Sequence, residues 1–143
     1  MSTYRTASEE ETIALGSELA HALGRQAAVL LIGDLGAGKT TLAKGIVQGL
    51  GAAEPEEVSS PTFTLVHEYR RGARLVYHVD LYRLDDPRAV EALGLDELFD
   101  REAVVLVEWG ERFPALMPPE RTEIRLAAEG DDGRIIQVSE IHP

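Results

Sequence analysis

The sequence predicts a single α/β domain over residues 1–143, a mixed, mainly parallel β-sheet flanked by helices and extended by β-hairpins. Three observations carry that prediction. Two unbroken apolar runs, Ala27–Ile32 (AAVLLI) and Ala103–Val107 (AVVLV), lack a polar face, as strands covered on both sides do. Helical segments flank the first of them. Paired strand-like segments later in the chain read as hairpins, which favours a mixed sheet over a purely parallel one.

Taken in order, Ser8-Glu9-Glu10-Glu11 has the S-x-x-E form of a helix start, and Ile13, Leu15, Leu19 and Leu23 follow at helical spacing. Gly24 is the expected stop. After Ala27–Ile32 comes a glycine loop, then a helix from Lys39 to Leu50 ended near Gly49 and Gly51. Ala52 to Pro61 is acidic with two prolines, and reads as a loop. Phe63–Arg70 and Arg74–Leu81 are β-rich and form a hairpin about Arg71-Gly72-Ala73. Asp86-Pro87 opens a short helix that Gly94 closes. Beyond Ala103–Val107, Pro114, Pro118 and Pro119 mark a loop. Thr122–Ala128 and Arg134–Ser139 then alternate as a last hairpin around Gly130–Gly133.

Composition narrows the function. With 14 Lys and Arg against 25 Asp and Glu, the net charge of −11 argues against a broad basic face for DNA or RNA. The chain has no Cys, which removes disulfides, thiol catalysis and cysteine zinc sites. Met1–Thr6 has no signal-peptide apolar stretch, and the longest apolar runs are too short to cross a bilayer. The expected location is the cytoplasm. A chain of this length suits one core that buries roughly two-thirds of the unfolded surface.

Gly33-Asp34-Leu35-Gly36-Ala37-Gly38-Lys39-Thr40 satisfies G-x-x-x-x-G-K-[ST] between a buried strand and a helix, so the domain is expected to be P-loop NTPase-like. Glycines let successive N–H groups point at phosphate oxygens without side chains in the way. Lys39 would place its ammonium at the β- and γ-phosphates, and Thr40 would offer a hydroxyl to Mg²⁺. The helix N-terminus adds positive potential there. Lys39 sits on a first helical turn, where its stem is expected to add little packing.

Such a loop needs a carboxylate at the end of a neighbouring strand. Glu108 follows AVVLV and is assigned to the metal. Asp80 follows Leu75–Val79, a less regular run, and is assigned to the attacking water or the outer shell of the metal. The residue types leave an exchange of these roles open. Ser59-Ser60-Pro61-Thr62 stands where switch-type NTPases keep a γ-phosphate-sensing hydroxyl, and equally reads as a proline turn. Trp109, the only Trp, is a candidate for nucleotide stacking or for filling the core edge. His67 and His78 are assigned to packing or hydrogen bonding rather than a metal pair.

GDLGAGKTT, SSPTFTLVHEY, HVDLYRL and VEWGE, in this order and spacing, resemble the TsaE (YjeE) family from about Ser8 to Arg134. These are small bacterial ATPases required for threonylcarbamoyladenosine modification of tRNA. The resemblance implies ATP/ADP and Mg²⁺ as bound groups. It places Gly36, Ala37, Gly38, Lys39, Thr40 and Thr41 at the nucleotide, Thr40 and Glu108 at the metal, and Asp80 as the essential acid. It also brings Glu9 and Arg134 towards the nucleotide. The family acts through the complex of the TsaD and TsaB proteins and meets tRNA only indirectly, which suits an acidic chain.

Three other classes share a P-loop. A small-molecule kinase would need an acceptor site and an arginine-bearing lid, for which Arg70, Arg71 and Arg74 are the available cluster. A GTPase normally reads guanine through N-K-x-D, which a chain without Asn cannot contain. A non-hydrolysing scaffold would bind nucleotide and stop there. Arg83, the cation nearest Asp80 in the chain, is expected on the opposite face of an extended run.

Overall fold

Ser8 starts the first helix by local chemistry alone. In the computed structural model, which describes residues 1–143, its hydroxyl accepts a hydrogen bond from Glu11 N at 3.1 Å, and helix α1 runs Glu9–Ala20. The Glu11 carboxylate turns back to Ala7 N at 3.0 Å, so two N-terminal amides are satisfied reciprocally. The helix ends four residues before Gly24. His21, Ala22 and Leu23 donate three residues back to close its last turn, so no left-handed glycine cap is used.

The two apolar runs form neighbouring parallel strands, β2 (Ala27–Ile32) and β5 (Val104–Glu108). Between them lie α2 (Lys39–Gly49), β3 (Val66–Arg71), β4 (Arg74–Asp80), α3 (Pro87–Glu91) and α4 (Leu95–Phe99). The last hairpin is β6 (Arg121–Glu129) with β7 (Gly133–Ile141), and β1 (Ser2–Thr6) pairs antiparallel with β7. The sheet order is β1-β7-β6-β2-β5-β4-β3. Strands β4, β5, β2 and β6 are parallel neighbours, while β3 and β7 run against them. The sheet is thus mixed and mainly parallel.

Three further features depart from the sequence reading. β3 starts at Val66 rather than Phe63, because the chain first turns through Leu65 at φ +69°. α4 follows Gly94 directly, so this glycine links two short helices instead of leading into a loop. β1 carries no apolar alternation and is held as an edge strand by its backbone pairing with β7.

Helices α1 and α2 cover one face of the sheet over Val29, Leu31, Val76, Val104 and Leu106. α3, α4 and the turns around Phe113 and Met117 cover the other face over Leu30, Tyr77, Val79, Val105 and Val107. Period-two alternation therefore divides the central strands between two cores, each sealed by helices. The first core depends on close approach of α1 and α2. A methyl group on Gly45 would strike the Ile13 carbonyl oxygen. We expect Gly45→Ala to cost about 1–3 kcal/mol and to lower the melting temperature by several degrees. Circular dichroism on heating checks this, and an unchanged midpoint would contradict the packing described.

Candidate functional site

Ligands of parallel α/β sheets sit beyond the carboxyl ends of the strands. Here β2, β5 and β4 end side by side, and Asp80 lies directly opposite Glu108 in the β4–β5 register. Both carboxylates share the sheet face covered by α2, being two residues from His78 and Leu106 respectively. The loop from Gly33 to Gly38 crosses from β2 to α2 above them. Gly38 caps α2 at φ +98°, a left-handed conformation that favours glycine, at a helix N-terminus whose first amides have no partner within the helix.

These elements enclose a cleft of about 400 Å³. Of the residues picked out by sequence, Glu9, Gly36, Gly38, Lys39, Thr40, Thr41, Asp80, Glu108, Trp109 and Arg134 all line it. Ala37 does not. It is buried in the α1–α2 core, so only its main chain can serve a ligand.

Lys39 is only 4 % exposed, contrary to the expectation of a loosely packed stem. Its ammonium donates to Gly33 O at 2.6 Å and sits 3.5 Å from the centre of the Trp109 ring. Burial lowers its pKa below the ordinary 10.5; the charges of Glu108, Glu111, Asp80 and Asp34 oppose that shift. Trp109 is therefore a wall of the cleft and not merely a core filler. It packs on Tyr82 with ring centres 5.3 Å apart. Arg112 braces that pair, 5.1 Å from the Trp109 ring, while donating to Leu81 O and Tyr82 O at 2.8 Å each.

The two carboxylates have distinct settings. Glu108 Oε2 accepts from Thr40 Oγ1 at 3.3 Å and is 2.6 Å from His78 Nε2. Asp80 Oδ1 accepts from Tyr82 N at 2.9 Å, and Oδ2 from Ser60 Oγ at 3.1 Å. Ser60 and Thr62 also line the cleft, so the Ser59–Thr62 segment faces the site rather than merely turning the chain. Arg134 reaches over the loop, with Nη2 3.3 Å from Gly36 O.

The donor set suits a hard divalent cation. A threonine hydroxyl and carboxylate oxygens stand at the foot of the glycine loop, and such ions take oxygen ligands. No group of three or more His, Asp or Glu forms a metal cage. Phosphate oxygens and water would have to complete the coordination, which is how Mg²⁺ is usually held beside a P-loop. His67 and His78 face each other in register, but they bond to Tyr69 and Glu108 respectively, as packing and hydrogen-bonding residues.

Tyr82, Arg112 and the His78–Glu108 pair were not legible as site features. The proximity of HVDLY to VEWGE in space was the missing signal. Arg83 lies in a turn, not on an extended run, with its guanidinium 5.4 Å from the Phe63 ring. Arg70, Arg71 and Arg74 sit at the β3–β4 turn, the far end of β4 from Asp80. Arg70 and Arg71 pair there with Glu68 and Glu57.

Comparison with known proteins bears on the family and the fold. The model of the family described as "Threonylcarbamoyl adenosine biosynthesis protein TsaE" matches residues 6–136. The chain is 45% identical over 134 residues to a Bacillus subtilis protein named "tRNA threonylcarbamoyladenosine biosynthesis protein TsaE", covering 93% of this chain and 82% of that one. A protein of the same name from Rickettsia conorii is 37% identical over 135 residues, 94% of this chain and 76% of the relative. Among solved structures, "Crystal structure of Bacillus subtilus YdiB" superposes with a TM-score of 0.79 at 36% identity, covering 98% of this chain and 85% of that one. No helix is long and apolar enough to cross a membrane. Since the family match takes in the phosphate loop, both strand-end carboxylates and the start of the last strand, the chain belongs to the TsaE family.

Proposed function

We propose that this protein binds and hydrolyses ATP with Mg²⁺ and serves tRNA threonylcarbamoyladenosine biosynthesis in the cytoplasm by acting on the TsaD–TsaB complex. The observation that carries the reading is the shared cleft. Lys39 and Thr40 of the phosphate loop and the strand-end carboxylates Glu108 and Asp80 line it together. The names of the relatives support the pathway, and the net charge of −11 suits work through protein partners better than a direct grip on tRNA.

In this reading the amides from Gly36 to Thr41 and the Lys39 ammonium hold the β- and γ-phosphates of ATP, and ADP afterwards. Thr40 and Glu108 hold Mg²⁺, which when bound neutralises phosphate charge. Asp80, fixed from both oxygens by Ser60 and Tyr82, orients the attacking water. Trp109, Arg134 and Glu9 border the nucleotide. The alternative of a small-molecule kinase loses its arginine lid, because that cluster lies at the far end of β4.

Catalysis by the lone protein should be slow. No Gln stands in the switch segments to orient water, and the Arg83 guanidinium lies beside the exposed Phe63 ring and not among the residues lining the cleft. A cation supplied in trans is worth ~10³–10⁵ in rate in other NTPases. Phosphate release at saturating ATP, measured alone, with TsaD–TsaB, and with the complex plus tRNA, should accelerate on adding partners. Equal rates in all three would refute partner gating.

A further inference from the structure

We propose that His78 is a positioning residue for the divalent cation at Glu108, donating from Nε2 to fix one carboxylate oxygen and leave the other for the metal or its water. This rests on the reading of Glu108 as the metal carboxylate. His78 is 0 % exposed, and the only hydrogen-bond partner of its ring is Glu108 Oε2 at 2.6 Å. A carboxylate only accepts, so Nε2 carries the hydrogen. His78 Nδ1 is buried with no partner. A hydrogen on it would bury an N–H without an acceptor, so the geometry favours the tautomer with its hydrogen on Nε2, aimed at Glu108.

The surroundings give this imidazole no other task. It stands mid-strand on the face that α2 covers, opposite Leu106 in the β4–β5 register and two residues before Asp80. An aliphatic side chain there would pack without orphaning a nitrogen. What the ring adds is a hydrogen bond from β4 onto Oε2, the oxygen that Thr40 Oγ1 also approaches from α2 at 3.3 Å. Held from a strand and a helix at once, Oε2 sets the carboxylate plane. Oε1 accepts no protein hydrogen bond, and Glu108 lines the cleft. Groups that orient a metal-bound carboxylate in this way typically matter 10–100-fold in metal affinity.

The test measures Mn²⁺ binding by loss of the free-ion electron paramagnetic resonance signal at saturating ADP, in wild type, His78→Leu and His78→Gln. ADP affinity in chelator serves as the metal-free reference. His78→Leu should bind Mn²⁺ at least roughly tenfold more weakly, with metal-free ADP affinity unchanged. His78→Gln, whose amide can donate from a similar point, should recover most of the loss. Equal Mn²⁺ affinity in all three, or equal losses in both variants, would overturn the positioning role while leaving the metal site standing. No Mn²⁺ uptake by the wild type would overturn the metal reading of Glu108 and this proposal with it.

A second measurement does not depend on His78→Leu. Ring ¹⁵N shifts of wild-type His78, assigned by the signal that His78→Gln removes, should report the Nε2–H tautomer and move when Mg²⁺ joins the ADP complex. An Nδ1–H tautomer, or shifts indifferent to Mg²⁺, would overturn the proposal even if His78→Leu failed to fold.

Discussion

Replacing Lys39 by Met should abolish ATP-dependent stabilisation while the unliganded protein stays about as stable as the wild type. In the wild type, ATP at ~100 times Kd should add roughly 2.7 kcal/mol of stability by mass action. Met keeps the buried length of the side chain, which matters because Lys39 is nearly sealed, and removes a charge whose burial is unfavourable. The lost contacts to Gly33 O and the Trp109 ring act against that gain, so the two effects offset. Because burial lowers the folded pKa, the unfolded chain binds more protons in the alkaline range, and stability rises there with pH. Wild type should therefore gain on Lys39→Met as pH climbs through the lowered value towards 10.5. Thermal melts with and without ATP across that range measure both effects. A variant with the full ATP shift would remove the P-loop from the nucleotide site.

Glu108→Ala and Asp80→Ala should fail in different ways. Glu108 is the carboxylate within reach of Thr40, so its loss should weaken Mg²⁺ dependence and nucleotide retention together. Asp80 has no contact with Thr40 and is tied to Ser60 and Tyr82, so Asp80→Ala should spare binding and lower turnover. A positioned base or water-orienting group is worth ~10²–10⁴ in rate, which sets the size of that drop. A Mg²⁺ titration of nucleotide affinity and turnover in both variants separates the roles. The reverse pattern would exchange them.

The elements read correctly from sequence are those whose signal is local. Ala27–Ile32 and Ala103–Val107 are apolar at nearly every position because helices cover both faces of β2 and β5. Ser8 and Glu11 cap α1 through neighbouring atoms, and the glycines of the phosphate loop meet a backbone demand within that loop. β1 was not legible because an edge strand held by main-chain pairing needs no apolar pattern, and four of its five residues are exposed. Gly24 misled because the final turn of α1 closes on right-handed residues and leaves the glycine without a conformational task.

The sequence by itself determined the fold class, the phosphate loop and two acidic candidates at strand ends, since each rests on residues a few positions apart. Only the tertiary structure decided what surrounds those acids. Parallel pairing of β4 with β5 sets Asp80 beside Glu108 and carries His78, 30 residues away in the chain, to within 2.6 Å of the Glu108 carboxylate. The same pairing brings Tyr82 against Trp109 and lets Arg112 brace both. Register between distant strands is settled by burying two apolar faces at once, and side chains that meet through it leave no mark in their own neighbourhoods.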